Sequence, residues 1–163
     1  MNLNRLFITF FGTGLSPKAP GTVGSFFALI AGLIILEFFP MQTLFMLTLV
    51  ITIIGIFEIN KYEKATGSHD DKSIVIDEVS GMWITMMFAI STAQSMNYNY
   101  AFEIAVVSSF ATFRLFDIWK PSTIGTIDRK VKGGLGVMGD DVLAGVAGGF
   151  LSVLILMGLE KVL

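Results

Sequence analysis

Cysteine is absent from this chain of 163 residues. That excludes disulfides, thiolate nucleophiles and Cys-ligated zinc. Histidine occurs once, at His69, so hydrolytic schemes that need a pair of catalytic histidines are excluded as well. Charge is scarce: Asp, Glu, Lys and Arg make up 15% of the residues, against about 25% in a soluble domain. The net charge of −2 offers no basic footprint for nucleic acid. No Gly-Lys-Ser/Thr ending completes a Walker A loop, and no DxDxT segment occurs. Residues Met1 to Phe11 hold one Arg and a short apolar run without a small-residue cleavage site, and are not read as a cleaved signal peptide.

What the chain has in place of charge is apolar length. Hydrophobic residues make up 53% of it, and the mean hydropathy is +0.74. They gather in five blocks, roughly Val23–Phe39, Leu44–Ile59, Val79–Ala93, Ala101–Phe116 and Val142–Leu159. A spanning helix needs ~20 residues, with a range of ~17–25. The blocks sit near or just under that limit, so they suit either a thin bilayer or the core of a very apolar soluble bundle. Five of them in so short a chain favour the membrane. The expected fold is all-α: a single polytopic membrane bundle over residues 1–163, with about four to five spanning helices plus short N-terminal and loop helices.

The connections alternate in character. Pro40 to Thr43 and Gln94 to Tyr100 carry no charge, whereas Asn60–Asp77 and Asp117–Asp141 are long and polar. If every block spans, Arg5, Lys18, Lys61, Lys64, Lys72, Arg114, Lys120, Arg129, Lys130 and Lys132 share one face, and only Lys161 lies on the other. The excess of Lys and Arg on cytoplasmic loops then puts the N-terminus and both long loops in the cytoplasm. Gly145, Gly148 and Gly149 suggest close packing, within one chain or between subunits of a homo-oligomer.

Acidic residues at membrane depth are costly and usually functional. Asp77 and Glu78 begin the third block, Asp117 follows the fourth, and Asp140 and Asp141 precede the fifth. The topology brings all five to one interface. Helix N-termini attract acids without any function, but that does not account for Asp117 at the end of a helix. A hard divalent cation would relieve the repulsion, and Mg²⁺ is the usual one beside phosphate. Arg114, Asp117 and Lys120 are spaced three apart along one side of a helix, and Arg114 stands within an apolar run, where it calls for a carboxylate or phosphate partner. The segments GTGLSPKAPGTVGS and KGGLGVMGDD let backbone amides approach an anion, or else mark tight turns. Asp70 and Asp71 read as a solvated pair, with Asp70 within reach of the site. His69 is either an acid–base group or a loop residue.

Four stretches together carry a resemblance: APGTVGS (Ala19–Ser25), GSHDDKSIVIDEVSGMWIT (Gly67–Thr85), FRLFDIWKP (Phe113–Pro121) and GGLGVMGDDVLAG (Gly133–Gly145). In this order they resemble the bacterial phosphatidylglycerophosphatase A family, over about residues 10–149. Ser122-Thr123 departs from the second proline expected after Lys120-Pro121 in many relatives. The resemblance implies an all-helical, Mg²⁺-dependent phosphatase of the bacterial inner membrane, facing the cytoplasm. Its substrate would be a phospholipid, phosphatidylglycerophosphate, converted to phosphatidylglycerol. On that footing Glu78, Asp117, Asp140 and Asp141 bind one or two Mg²⁺, and Asp77 joins or backs them. Arg114 and Lys120 neutralise phosphate, with help from Lys132, Thr22, Ser25 and Gly134. The base is Asp70, His69 or an ion-activated water, and an aspartyl-phosphate route stays open. The alternative is an ion or solute transporter with a carboxylate cation site; Glu37 and Glu103, away from the cluster, are the residues that favour it.

Overall fold

The computed structural model describes residues 2–68, 71–121, 124–125 and 130–162. The architecture is all-helical, as the sequence predicts. A short α1 (Leu3–Ile8) leads through a 3₁₀ turn at Thr13–Leu15 into α2 (Pro20–Phe38), α3 (Met41–Thr66), α4 (Ile76–Ala93), α5 (Ala101–Trp119) and α6 (Gly134–Glu160). Pro20 opens α2 at a first-turn position, where its missing N–H costs nothing. Gly67, left-handed at φ 68°, closes α3.

The five long helices match the five apolar blocks, but two run well past them. α3 continues to Thr66 and α6 begins at Gly134. Hydropathy ends at the first polar residues, while the helical backbone continues through them. The glycine-rich segment read as an anion loop is therefore helical from Gly134 onward. By length and composition α2, α3 and α6 are sufficient to cross a membrane. α4 is different: it is the central helix, with twelve of its eighteen residues buried, and it packs on α2, α3, α5 and α6. α3 instead exposes Phe45, Met46, Leu47, Leu49, Val50, Ile53, Ile54 and Phe57. An apolar face that large needs lipid or protein over it.

Small residues let the helices approach. A Cβ on Gly145 would stand 2.9 Å from Gly81 Cα, so α4 and α6 touch backbone to backbone there. Gly148 lies against the Phe113 main chain and Gly149 against the Phe88 ring. The three glycines therefore pack within the chain. Hydrogen bonds tie α4 to three of its neighbours: Trp83 Nε1 donates to the Ala28 carbonyl at 2.8 Å, Thr52 Oγ1 to Ser80 Oγ at 3.0 Å, and Thr85 Oγ1 to the Gly145 carbonyl at 2.9 Å. The Thr112 and Ser152 hydroxyls pair at 2.8 Å. Interhelical bonds of this kind contribute about 0.6 kcal/mol each on average in membrane bundles.

Candidate active site

The up-and-down order of the long helices gathers the start of α2, the end of α3, the start of α4, the end of α5 and the start of α6 at one end of the bundle. Asp77 and Glu78 occupy the first turn of α4, where the helix dipole favours them. Arg114 and Asp117 occupy the last turns of α5. Asp140 and Asp141 lie six and seven residues into α6, about 10 Å from its N-terminus at 1.5 Å per residue. The first turns of α6 thus run past the level at which the acids meet.

One carboxylate oxygen from each of Glu78, Asp117 and Asp141 comes within 4.8 Å of the other two. All three residues are buried, Asp141 being only 3% exposed. Arg114 sits between two of them. Its Nη1 donates to Glu78 Oε2 at 2.6 Å and pairs with Asp117 Oδ2 at 2.6 Å. Ser25 Oγ donates to Glu78 Oε2 at 2.7 Å and lies 3.1 Å from the same guanidinium nitrogen. Gly21 is flush with Glu78, since a Cβ there would collide with Oε1. One guanidinium cannot neutralise three carboxylates. Asp141 Oδ2 and Asp77 Oδ1 are buried with no hydrogen-bond partner among the described residues, as is Arg114 Nε.

A cavity of about 210 Å³ opens over this cluster. Asp77, Glu78, Asp117 and Asp141 form its acidic wall, Pro20 and Gly21 bring the start of α2, and Asp71, Lys72 and Lys120 add polar groups. Pockets that enclose whole small molecules span about 300–1,000 Å³. This one is smaller, the size of a single small polar group rather than a whole ligand.

The structure divides the residues singled out from sequence. Glu78, Asp117, Asp141, Asp77, Arg114 and Ser25 converge. Asp140 is buried beside them but turns to Lys120, whose Nζ lies 2.5 Å from Oδ2. Thr22 stands in the first turn of α2 without lining the cavity, and Lys132 is exposed away from it. The Gly134 amide is occupied by Asn60 Oδ1 at 2.9 Å, and its Cα packs against the Ile56 carbonyl, so it braces α6 on α3. His69, Asp70 and Arg129 lie outside the described residues.

Asp71 is not the freely solvated acid expected. The Ser73 amide donates to its Oδ1 at 2.9 Å and the Tyr62 hydroxyl to its Oδ2 at 2.7 Å. The Ser73 amide first, then Tyr62, hold its carboxyl below the usual carboxylate range. An Asp two residues before a Ser, just ahead of a helix, is a turn pattern that could have revealed this. Nothing in the sequence marks Tyr62 as its partner, and Lys72 is hidden among the loop lysines.

A sequence profile described as phosphatidylglycerophosphatase A matches residues 6–156. The chain is 41% identical over 136 residues to phosphatidylglycerophosphatase A of Escherichia coli strain K12, covering 83% of this chain and 73% of that protein. It is 37% identical over 142 residues, 85% of this chain and 84% of the relative, to a putative phosphatidylinositol-3-phosphatase of Bacteroides thetaiotaomicron. With phosphatidylglycerophosphatase A of Haemophilus influenzae the identity is 34% over 146 residues, 90% and 84% of the two chains. No solved structure matches.

Proposed function

The chain belongs to the phosphatidylglycerophosphatase A family, and from that premise we propose that it hydrolyses the terminal phosphate of phosphatidylglycerophosphate, with Mg²⁺ at the acidic cluster. The observation that carries the reading is the convergence of Glu78, Asp117 and Asp141 from three helices at one end of an apolar bundle. The donor set fits Mg²⁺, which takes hard oxygen ligands. Three carboxylate oxygens within 4.8 Å of one another stand near enough for one ion to be held between them once their side chains draw together. The unpartnered Asp141 Oδ2 supports the same assignment. Glu78, Asp117 and Asp141 would hold the ion, with Asp140 behind them on Lys120.

Mg²⁺, when bound, supplies Lewis acidity toward the phosphoryl group. The chain does the rest. Arg114, paired with Glu78 and Asp117 through Nη1, holds those two carboxylates and offsets the charge of a phosphate beside them. The first turn of α2 at Pro20–Gly21 brings main-chain polarity to the anion. Asp77 Oδ1, buried and unpartnered, is available to take the proton of the attacking water. Water adds to phosphorus, the bond to the glycerol oxygen breaks, and a proton goes to the departing alcohol. Inorganic phosphate and phosphatidylglycerol result.

The acyl chains would stay in the bilayer against the exposed apolar faces of α2 and α3. The described lysines at the site end, Lys18, Lys61, Lys64, Lys72, Lys120, Lys130 and Lys132, support a cytoplasmic site, with Lys161 at the opposite end. On this reading the enzyme sits in the inner membrane of a bacterium.

Phosphate release from phosphatidylglycerophosphate in detergent, with and without Mg²⁺, tests the reading. Release that requires Mg²⁺ and stops with chelator is expected. Faster release from phosphatidylinositol 3-phosphate would move the substrate toward the Bacteroides relative's name. No release from folded protein with either lipid would discard the reading.

A further inference from the structure

The cavity has two tiers. The deep tier is the carboxylate cluster, with Arg114 behind it on Glu78 and Asp117. The rim is the turn between α3 and α4, where Asp71, Lys72 and Ile74 face the opening. Two lysines line the cavity, and they differ. Lys120 is held by Asp140. Lys72 is exposed and has no carboxylate partner among the described residues.

The turn that carries Lys72 is tied down on both flanks. On one side Asp71 is gripped by Tyr62 from α3 and by the Ser73 amide, and the Ile74 amide donates to the Asp71 carbonyl at 2.9 Å. On the other, the Val75 amide donates to the Ile8 carbonyl at 2.9 Å, which joins the turn to the end of α1. Gly14 packs directly on the Ser73 carbonyl, leaving no room for a side chain between the 3₁₀ turn and this segment. So many ties to neighbouring elements fix where the lysine leaves the backbone. Their effect is to present a cation at the mouth.

The substrate of the proposed reaction has two phosphates: the terminal monoester, which is cleaved, and a diester three carbons away, which remains in the product. The deep tier accounts for the first only. Resting on that reading of the substrate, we propose that Lys72 recognises the diester phosphate at the rim, so that the enzyme selects lipids in which a phosphodiester stands behind the phosphomonoester. Lys72 then binds substrate and product alike and takes no part in the bond cleavage. Its contribution belongs in KM and in product inhibition, and kcat is untouched.

The test compares wild type with Lys72→Ala and Lys72→Arg in detergent at saturating Mg²⁺. An exposed ion pair of up to ~1 kcal/mol corresponds to about fivefold. Lys72→Ala should raise KM for phosphatidylglycerophosphate by about that factor, with kcat unchanged. It should weaken inhibition by phosphatidylglycerol equally and leave inhibition by inorganic phosphate, which lacks the diester, as in wild type. Lys72→Arg should restore both constants. Tyr62→Phe should move them in the same direction by less, because it loosens the turn without removing the charge. Equal weakening toward inorganic phosphate and phosphatidylglycerol, or no change toward either, would overturn the inference. Failure of the wild type to release phosphate from this lipid would overturn the functional reading beneath it instead.

Discussion

The two ends of the bundle contain the same kinds of residue in opposite surroundings. At one end Glu78, Asp117, Asp140 and Asp141 are buried and converge from three helices. At the other, Glu37 closes α2, Glu103 opens α5 and Glu160 ends α6, and all three are exposed. A carboxylate in water needs nothing from its neighbours. One held out of water and beside another carboxylate needs a cation, and that need distinguishes a site from a solvated surface. The contrast also weighs against the transport alternative, since Glu37 and Glu103 are exposed and Glu37 lines a separate cavity that shares none of its described lining residues with the acidic one.

The sharpest way to break this comparison is Asp141→Asn. Losing one oxygen charge from the cluster should lower phosphate release by at least about a hundredfold, while the protein stays folded in the membrane. Gel filtration in detergent and release kinetics on the same sample check it; a wild-type rate would return Asp141 to the class of Glu103. Arg114→Ala should lower the rate more than about tenfold, the usual scale for a group that supports phosphoryl charge. Chelator titration of that variant adds a second readout. With the internal cation gone, the carboxylates should hold Mg²⁺ at least as tightly as in wild type, although the rate has fallen.

Gly145→Leu forces α4 and α6 apart at their backbone contact. Destabilisation of about 3 kcal/mol or more is expected, beyond ordinary overpacking, because main chain has nowhere to move. Thermal unfolding in detergent reads it directly. Tyr62→Phe has a small, pH-dependent effect. Asp71 is held below its ordinary range in the folded protein, so its stabilisation is present above the unfolded carboxylate pKa and fades as pH falls through the lower folded one. Removing the phenol shrinks that difference, so melting temperatures at neutral and acid pH should draw together in the variant. Glu37→Gln and Glu103→Gln should leave the rate within about twofold of wild type, as expected of surface substitutions far from the chemistry. A large loss in either would erase the distinction between the two ends.

Much of this was legible in the sequence, for physical reasons. The five helices announce themselves because lipid-facing segments must be apolar all along, as in α3. The convergence of acids follows from counting helices, since every second crossing returns the chain to the same end. Other parts were not legible. Helix ends in water carry no hydropathy signal, so the apolar block begins only at Val142 although α6 begins at Gly134. The division of labour between Asp140 and Asp141 depends on which side of α6 faces Lys120. Adjacent identical residues do not encode that. Arg114 was marked as needing a carboxylate or phosphate. Only the packed bundle shows Nη1 reaching two carboxylates from different helices. The Tyr62–Asp71 pair bridges a helix and a turn, and neither residue signals the other.

The contact of Gly81 with Gly145 has a mechanical consequence. It acts as a fulcrum between the two helices that bear Glu78 and Asp141. At 1.5 Å per residue, those acids stand about 4.5 and 6 Å from it, whereas Ala93 at the far end of α4 is about 18 Å away. Membrane helices meet bilayers of different thickness by tilting. Were α4 to tilt against α6 by ~10° about this point, the far end would swing ~3 Å and the acids only ~1 Å. The short arm of the lever carries the chemistry, so a tilt that neighbouring helices pass to the far end of α4 reaches the site reduced about threefold.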